Sequence, residues 1–245
     1  MMLLVLGANS DIAHEVAKIF ASQERADLVL ASRDMEVLER RAKDLETRCQ
    51  VRVQARYFDA RDFESHAAFY SELEPKPDGV VVAFGEMGEQ ARSERDFQEA
   101  RKVIETNYLG AVSILEVVAA DFERRGRGFI IGISSVAGER GRQSNYLYGS
   151  AKGAFTVYLS GLRNRLCTRG KGIRVLTVLP GFVRTKMTMG MNLLSFLTAE
   201  PEDVARDIYR AFRKGRAIIY TRKVWFWIMV IIRGIPEFIF SRIKL

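Results

Sequence analysis

The feature that most constrains this chain is an alternation of short apolar runs with longer amphipathic ones. "MLLVL" (2–6), "DLVLA" (27–31), "VRVQARYF" (51–58), "GVVVAF" (79–84), "GFIIGISS" (128–135), "IRVLTVLP" (173–180) and "AIIY" (217–220) read as strands. Several are almost wholly apolar, as strands are when both faces of a parallel sheet are covered. Helical stretches lie between them, near 11–23, 34–48, 62–74, 93–124, 146–169 and 201–214. In the second of these, Met35, Leu38, Ala42 and Leu45 recur at helical spacing, and Glu36, Glu39, Arg40 and Lys43 cover the other side. Strict βαβα order predicts an α/β fold, a single doubly wound parallel sheet of about seven strands with helices on both faces.

A chain of 245 residues suits one such domain. The net charge of +8 favours anionic partners without choosing among nucleic acid, lipid and phosphorylated small molecules. The basic residues form no recognition element, so nucleic acid is not expected. Cys49 and Cys167 are far apart and make no CxxC pair, which implies neither zinc nor disulfides and fits a reducing cytosol. No metal site is expected. The first residues, "MMLLVLGANS", lack a basic region and turn too soon for a signal peptide. No run of 18 apolar residues exists, so no standard membrane-spanning helix is expected.

In an open parallel sheet, ligands bind at the carboxyl ends of the strands near the switch point. The turn after the first strand is "GANSDIA". Gly7 allows a tight turn, and the amides of Asn9, Ser10, Asp11 and Ile12, at a helix N-terminus, can receive a pyrophosphate. Asp11 places a negative charge near that position, or caps the helix. The second strand ends "LASRD". An acid there would favour NAD(H). Here Ser32 holds that place and Arg33 follows, so NADP(H) is favoured over NAD(H), with the guanidinium on a 2′-phosphate. Asp34 reads as the cap of the next helix. Tyr148 and Lys152 in "YLYGSAK" stand at i and i+4. They share a helix face, where an ammonium can lower the pKa of a phenol from about 10. Alone, the pair reads more readily as two neighbours on a helix surface. Tyr146 has no lysine at i+4 and reads as a pocket wall or core residue.

Other motifs surround the pair. "ISSVAG" ends the fifth strand, with Ser135 thirteen residues before Tyr148. "TNYLG" (106–110) and "PGFVRT" (180–185) frame them. Together with the first turn, these resemble the short-chain dehydrogenase/reductase family over about residues 7–220, with Asp11 and Ala13 replacing two glycines of its first turn. The family's NNAG motif is matched only at Gly85, in "AFGEMGE". The resemblance implies a Rossmann-type sheet and an oxidoreductase that interconverts a ketone and a secondary alcohol by hydride transfer. It implies that Tyr148 is the acid–base group and that Lys152 lowers its pKa and holds the nicotinamide ribose. It further implies that Ser135, preferred over Ser134 on spacing, polarises the carbonyl and that Asn107 holds a water of the proton relay. Asp59 is implied as an adenine contact, although on its own it reads nearly as well as a turn or cap residue, and Gly85, Pro180, Gly181, Val183 and Thr185 are implied as the remaining cofactor contacts. Helices near 93–124 and 146–169 would pair protomers in a homodimer or homotetramer.

Residues 1–221 thus read as a dinucleotide-binding catalytic domain, with a substrate loop near 186–200. That loop carries Met187, Met189, Met191, Leu193, Leu194, Phe196 and Leu197. It reads as an adaptable lid over a lipophilic substrate or as a helix packed on the core. Residues 222–245 form an apolar and basic tail with both tryptophans of the chain. Nine apolar residues, 224–232, lie between Lys223 and Arg233. That is too short to span a bilayer but suits an interfacial anchor; the alternative is an arm buried against its own subunit or a partner. "SDIA", "PGFVRT" and the tail resemble a subgroup of the family that reduces a keto-sugar carried on a polyprenyl phosphate. The expected substrate is therefore a small-molecule or lipid-linked carbonyl or alcohol, with a steroid, fatty-acyl or other lipid ketone as the alternative. The expected location is cytoplasmic, peripheral on the cytoplasmic face of the membrane.

Overall fold

A computed structural model describes residues 1–169, 172–191 and 194–243. The expected Leu193 of the lid and residues 244–245 of the tail lie outside the described residues. Seven parallel strands form the main sheet: β1 (Met2–Leu6), β2 (Asp27–Ser32), β3 (Val53–Tyr57), β4 (Gly79–Val82), β5 (Arg127–Ile133), β6 (Gly172–Pro180) and, last in the chain, β9 (Ile218–Thr221). Their order is β3-β2-β1-β4-β5-β6-β9. The order reverses between β1 and β4, which pair from Leu3↔Gly79 to Leu6↔Val82. A crevice therefore opens at the carboxyl ends of these two strands. Two short strands, β7 (Phe182–Val183) and β8 (Thr198–Ala199), pair separately over the expected substrate loop.

All five residues of β1 are buried, because helices cover both faces. On one face lie α1 (Asp11–Glu24), α2 (Met35–Cys49) and α8 (Pro201–Arg213), joined through Phe20, Leu38, Leu45 and Ile208. On the other, α3 (His66–Ser71), α6 (Gly110–Arg125) and α7 (Tyr146–Arg169) contribute Tyr70, Phe122, Phe155 and Leu159. The fold and strand count are those expected. The single helix expected near 93–124 is instead α4 (Gln90–Ser93), α5 (Phe97–Ile104), a π-turn at Glu105–Leu109, and α6. The tract Phe97–Arg125 is long and apolar enough to cross a membrane, but half of it is buried and it packs on α3 and α7 as a core helix.

The expected lid is neither one helix nor a plain loop. Short 3₁₀ turns at Lys186–Thr188 and Ser195–Leu197 precede and follow Met191, and β8 closes it. Met189, Leu194 and Phe196 are exposed. The tail forms α9 (Val224–Gly234) and the short α10 (Glu237–Phe240). One side of it packs on its own subunit: Trp225 and Met229 join Val136 and Leu179 in a third apolar cluster. Arg140 holds the far end, donating to the carbonyls of Ile232, Arg233 and Ile235 at 2.7–3.1 Å and pairing with Glu237 at 2.8 Å. The other side, with Phe226, Trp227, Val230 and Ile231, faces outward.

Candidate active site

The crevice is a cavity of about 400 Å³. Gly7, Asn9, Ser10, Asp11, Ile12, Ser32, Arg33, Asp59, Gly85, Ser135, Tyr148, Lys152, Pro180, Gly181, Val183 and Thr185 all line it. Residues expected to bind the cofactor or to act on the substrate are thus brought to one continuous surface, although they come from seven separate segments of chain.

At one end the turn after β1 forms an anion cradle. Gly7 has φ +80°, and a Cβ there would lie 2.4 Å from the backbone nitrogen of Phe84. Only glycine fits this approach of β1 to the chain leaving β4. Ser10 precedes α1 without a side-chain cap, so the first amides of the helix are left for a ligand. The charge of Asp11 is compensated. Arg41 pairs with it at 2.9 Å and also donates to the carbonyls of Ala8 and Ser10. The second carboxylate oxygen of Asp11 accepts the Lys186 amide, so Asp11 ties the cradle to the lid instead of capping α1. Asn9 donates to the Asp34 carbonyl, and its buried Oδ1 has no partner. Asp34 caps α2 through the Val37 amide, as expected. Arg33 is exposed beside Ser32, with no carboxylate partner among the described residues. Asp59 accepts the Arg61 amide while lining the cavity, so the turn role and the site role coexist.

At the other end stand the groups expected to do chemistry. Ser134 is buried, donating to the Lys152 carbonyl at 2.9 Å and lying 2.7 Å from the Thr156 hydroxyl. Ser135 caps a 3₁₀ turn through the Ala137 amide and hydrogen-bonds Tyr148. The geometry therefore separates the two serines: Ser134 ties β5 to α7, and Ser135 meets the tyrosine. Lys152 is buried, with Nζ donating to the Ile133 carbonyl at 3.2 Å and lying 5.9 Å from the Tyr148 ring centroid. Asn107 sits in the π-turn behind Gly85 and does not line the cavity itself. Its amide nitrogen donates to the Glu86 and Val103 carbonyls at 2.6 and 2.8 Å. A Cβ on Gly85 would meet Asn107 Oδ1 at 2.8 Å and Lys152 Nζ at 3.2 Å, which fixes how closely the three approach. The single π-turn of the described chain thus falls on this asparagine.

The expected lowering of the Tyr148 pKa is not found. Burial pushes the phenol up to about 12, and the Ser135 hydrogen bond pulls the other way. Lys152 is itself pushed down to about 8 by burial. Both shifts have one cause, since removal from water disfavours each charged form. At neutral pH Tyr148 is therefore a held proton.

Sequence reasoning missed four residues. Arg41 reaches the cradle from α2, and Thr106 lines the cavity with a buried, unpartnered hydroxyl. Trp225 comes from the tail: its ring packs where Gly181 has no Cβ, edge-on to Phe182, and its Nε1 donates to the Leu197 carbonyl at 3.0 Å. Arg142, between Ser135 and Tyr148 in the chain, also lines the cavity. Its only sequence signal was position within that segment. Tyr146, expected in a pocket wall or the core, is exposed at the start of α7 and does not line the cavity, because the helix turns it away from Tyr148.

Comparison with known proteins gives concordant matches. The family described as short chain dehydrogenase matches residues 1–193. An uncharacterized oxidoreductase of Mycobacterium tuberculosis is 37% identical over 98% of this chain and 96% of its own length. Another, of Streptomyces coelicolor, is 33% identical over 98% of this chain and 95% of its own. A short-chain dehydrogenase from Sphingobium yanoikuyae, solved in complex with NADPH, superposes with a TM-score of 0.80 at 22% identity, covering 99% of this chain and 96% of its own.

Proposed function

The chain belongs to the short-chain dehydrogenase family, and from that premise we propose that it is an NADP(H)-dependent oxidoreductase whose Ser135, Tyr148, Lys152 and Asn107 reduce a ketone to a secondary alcohol. The observation that carries the proposal is the convergence of a protonated tyrosine, a serine on its hydroxyl and a buried lysine at one end of a cavity whose other end is an anion cradle.

The residues fit a dinucleotide. Gly7 keeps the cradle open to a pyrophosphate, and the orphaned Asn9 Oδ1 and Thr106 Oγ1 await donors. Ser32 leaves room, and Arg33 supplies charge, for a 2′-phosphate. When bound, the reduced nicotinamide supplies the hydride. Ser135 then positions and polarises the substrate carbonyl, and Tyr148 donates its proton to the oxygen as negative charge develops there. Holding that proton at neutral pH suits the donation that the reductive direction needs. Lys152 stands next to both the phenol and Asn107, where it can shift from the Ile133 carbonyl to a ribose hydroxyl. Asn107 holds the inner end of the proton path.

The substrate end is apolar, with Met87, Phe182, Met187, Met191 and Trp225. This supports a lipid-linked carbonyl compound. A keto-sugar on a polyprenyl phosphate, as in the subgroup that contains decaprenylphosphoryl-2-keto-erythropentose reductase, combines apolar and anionic character and suits the basic chain. The outward apolar side of the tail, flanked by Lys223 and Arg233, would seat the enzyme on the cytoplasmic membrane face. Protomers would pair through α5, the π-turn, α6 and α7, a tract that exposes Phe97, Leu109 and Val157. The experiment is NADPH consumption by purified protein with a polyprenyl-phosphate keto-sugar, a steroid ketone and an oxo-acyl ester. Turnover of the first alone supports the lipid-sugar reading. Turnover of either other compound moves the reading to a lipid ketone, and no turnover of any refutes the reductase assignment.

A further inference from the structure

Among the described residues four cations line the cavity: Arg33, Arg142, Lys152 and Lys186. Three are accounted for. Arg33 stands at the end of β2, beside the anion cradle. Lys152 donates to the Ile133 carbonyl. Lys186 is exposed at the rim, where its amide is tied to Asp11. Arg142 has no such assignment. It lies in the segment joining Ser135 to Tyr148, at the substrate end. Its Nε is buried without a partner, and its side chain makes no ion pair or hydrogen bond among the described residues. One turn on, Asn145 also lines the cavity, and its buried Oδ1 is likewise unsatisfied. A donor and an acceptor in the same turn thus leave each other unpaired and face the cavity.

A guanidinium partly removed from water without a counter-charge carries a cost, and burial alone lowers its proton affinity here. The acids that line the cavity do not relieve it. Asp11 is paired with Arg41, and Asp59 lies with its own turn on the β3 side. The one acid of the β5–α7 segment, Glu139, turns the opposite way, to Tyr220 and Arg233. Arginine's fork is matched by carboxylate and phosphate oxygens, which take two parallel N–H donors. The same cavity is also lined by the apolar Met87, Phe182, Met191 and Trp225.

We propose that Arg142 is a substrate-binding residue that takes an oxyanion, a carboxylate or a phosphate, carried by a substrate with an apolar body. This rests on the reductase reading and narrows its substrate class to anionic carbonyl compounds. Arg142 acts in ground-state recognition and does not touch the reacting carbonyl.

The test is calorimetric binding to the full chain saturated with NADPH, using octyl phosphate, octanoate and octan-1-ol as probes. In the wild type, one or both anions bind roughly tenfold or more tightly than the alcohol. Arg142→Gln removes that advantage and leaves octanol affinity unchanged, and Arg142→Lys keeps part of it. Preference for octyl phosphate alone assigns a phosphate; preference for both anions assigns a site that also accepts carboxylates. A wild type that does not prefer either anion overturns the proposal, even if Arg142→Gln fails to fold. An unchanged preference in folded Arg142→Gln overturns it equally. Because the readout is binding, Tyr148→Phe retains the preference. Retained turnover in Tyr148→Phe would sink the reductase chemistry and leave this site standing.

Discussion

Helices α7 and α9 flank the same cavity and break the ordinary burial rule in opposite senses. Helix α7 buries a lysine and encloses a tyrosine where apolar groups would be more stable. Helix α9 leaves Trp227 and Ile231, 65% and 68% exposed, where polar groups would be more soluble. A buried charge and an exposed apolar patch are the two informative departures from the rule that grease goes inside. The first marks chemistry, because a desolvated group has its protonation tuned. The second marks a surface meant to be covered. Between them, Trp225 belongs to α9 by sequence and to the cavity by position.

The sharpest break is Tyr148→Phe. It removes one hydroxyl and leaves the ring, so α7 keeps its packing. Reduction should fall by about 10²–10⁴-fold in kcat, with NADPH affinity within twofold of wild type. Stopped-flow single-turnover kinetics checks the first expectation and fluorescence titration the second. Substantial retained turnover would return Tyr148 to an ordinary helix position. Next is Trp225→Ala, which should destabilise the protein by about 3–5 kcal/mol in urea. It empties the ring's place against Gly181 and Phe182 and frees the Leu197 carbonyl. If the cost is under about 1 kcal/mol, α9 is an appendage and not a wall of the cavity.

The sequence made α7 legible and α9 only half so, for a physical reason. Strand runs such as "GVVVAF" and the i, i+4 pair of Tyr148 and Lys152 are local patterns, and local geometry carries them. All seven strands of the main sheet were readable this way. What was not readable depends on distant chain meeting. Arg41 neutralises Asp11 from another helix, Trp225 fills a gap left by Gly181, and Arg140 grips the end of α9. The direction of the Tyr148 shift was also hidden. Spacing shows that a lysine is near, but only burial shows that desolvation raises the phenol, against the Ser135 hydrogen bond.

Lys152→Met tests whether α7 holds its charge at a cost. Burial moves Lys152 from 10.5 to about 8, so between those values the unfolded chain binds more protons than the folded one. Stability therefore rises with pH through that window, and the penalty is complete below about pH 8. It is about 3 kcal/mol as an upper bound. The methionine variant should be more stable at pH 7, by up to that amount, and should lose the rise between pH 8 and 10.5, while turnover falls. Urea melts across pH measure both. Tyr148 contributes in the opposite sense: with its pKa raised to about 12, it lowers stability as pH climbs above 10. A Lys152→Met protein that is less stable at pH 7 would mean that the bond to the Ile133 carbonyl outweighs desolvation. Smaller again, and away from both helices, Arg33→Ala should weaken NADPH by about tenfold and NADH little, since only the former offers a 2′-phosphate. Equal weakening would make Arg33 a general surface charge.

The smallest effect on stability is expected where the tail faces outward. Trp227→Ser with Ile231→Ser removes two exposed apolar groups that touch no core cluster, so the urea midpoint should correspond to a change within about 0.5 kcal/mol. Deleting residues 224–245 would not isolate the same property, because it also removes Trp225, Met229 and Phe240, all buried. The double substitution should instead act on partitioning. Exposed aromatics beside Lys223 and Arg233 gain from both the acyl boundary and anionic headgroups. Sedimentation with vesicles containing phosphatidylglycerol should pellet the wild type and leave most of the variant in solution, with catalysis on a water-soluble ketone unchanged. If partitioning is unchanged, the outward face of α9 is covered by something other than lipid, and its contrast with α7 becomes one between a catalytic helix and a protein-docking one.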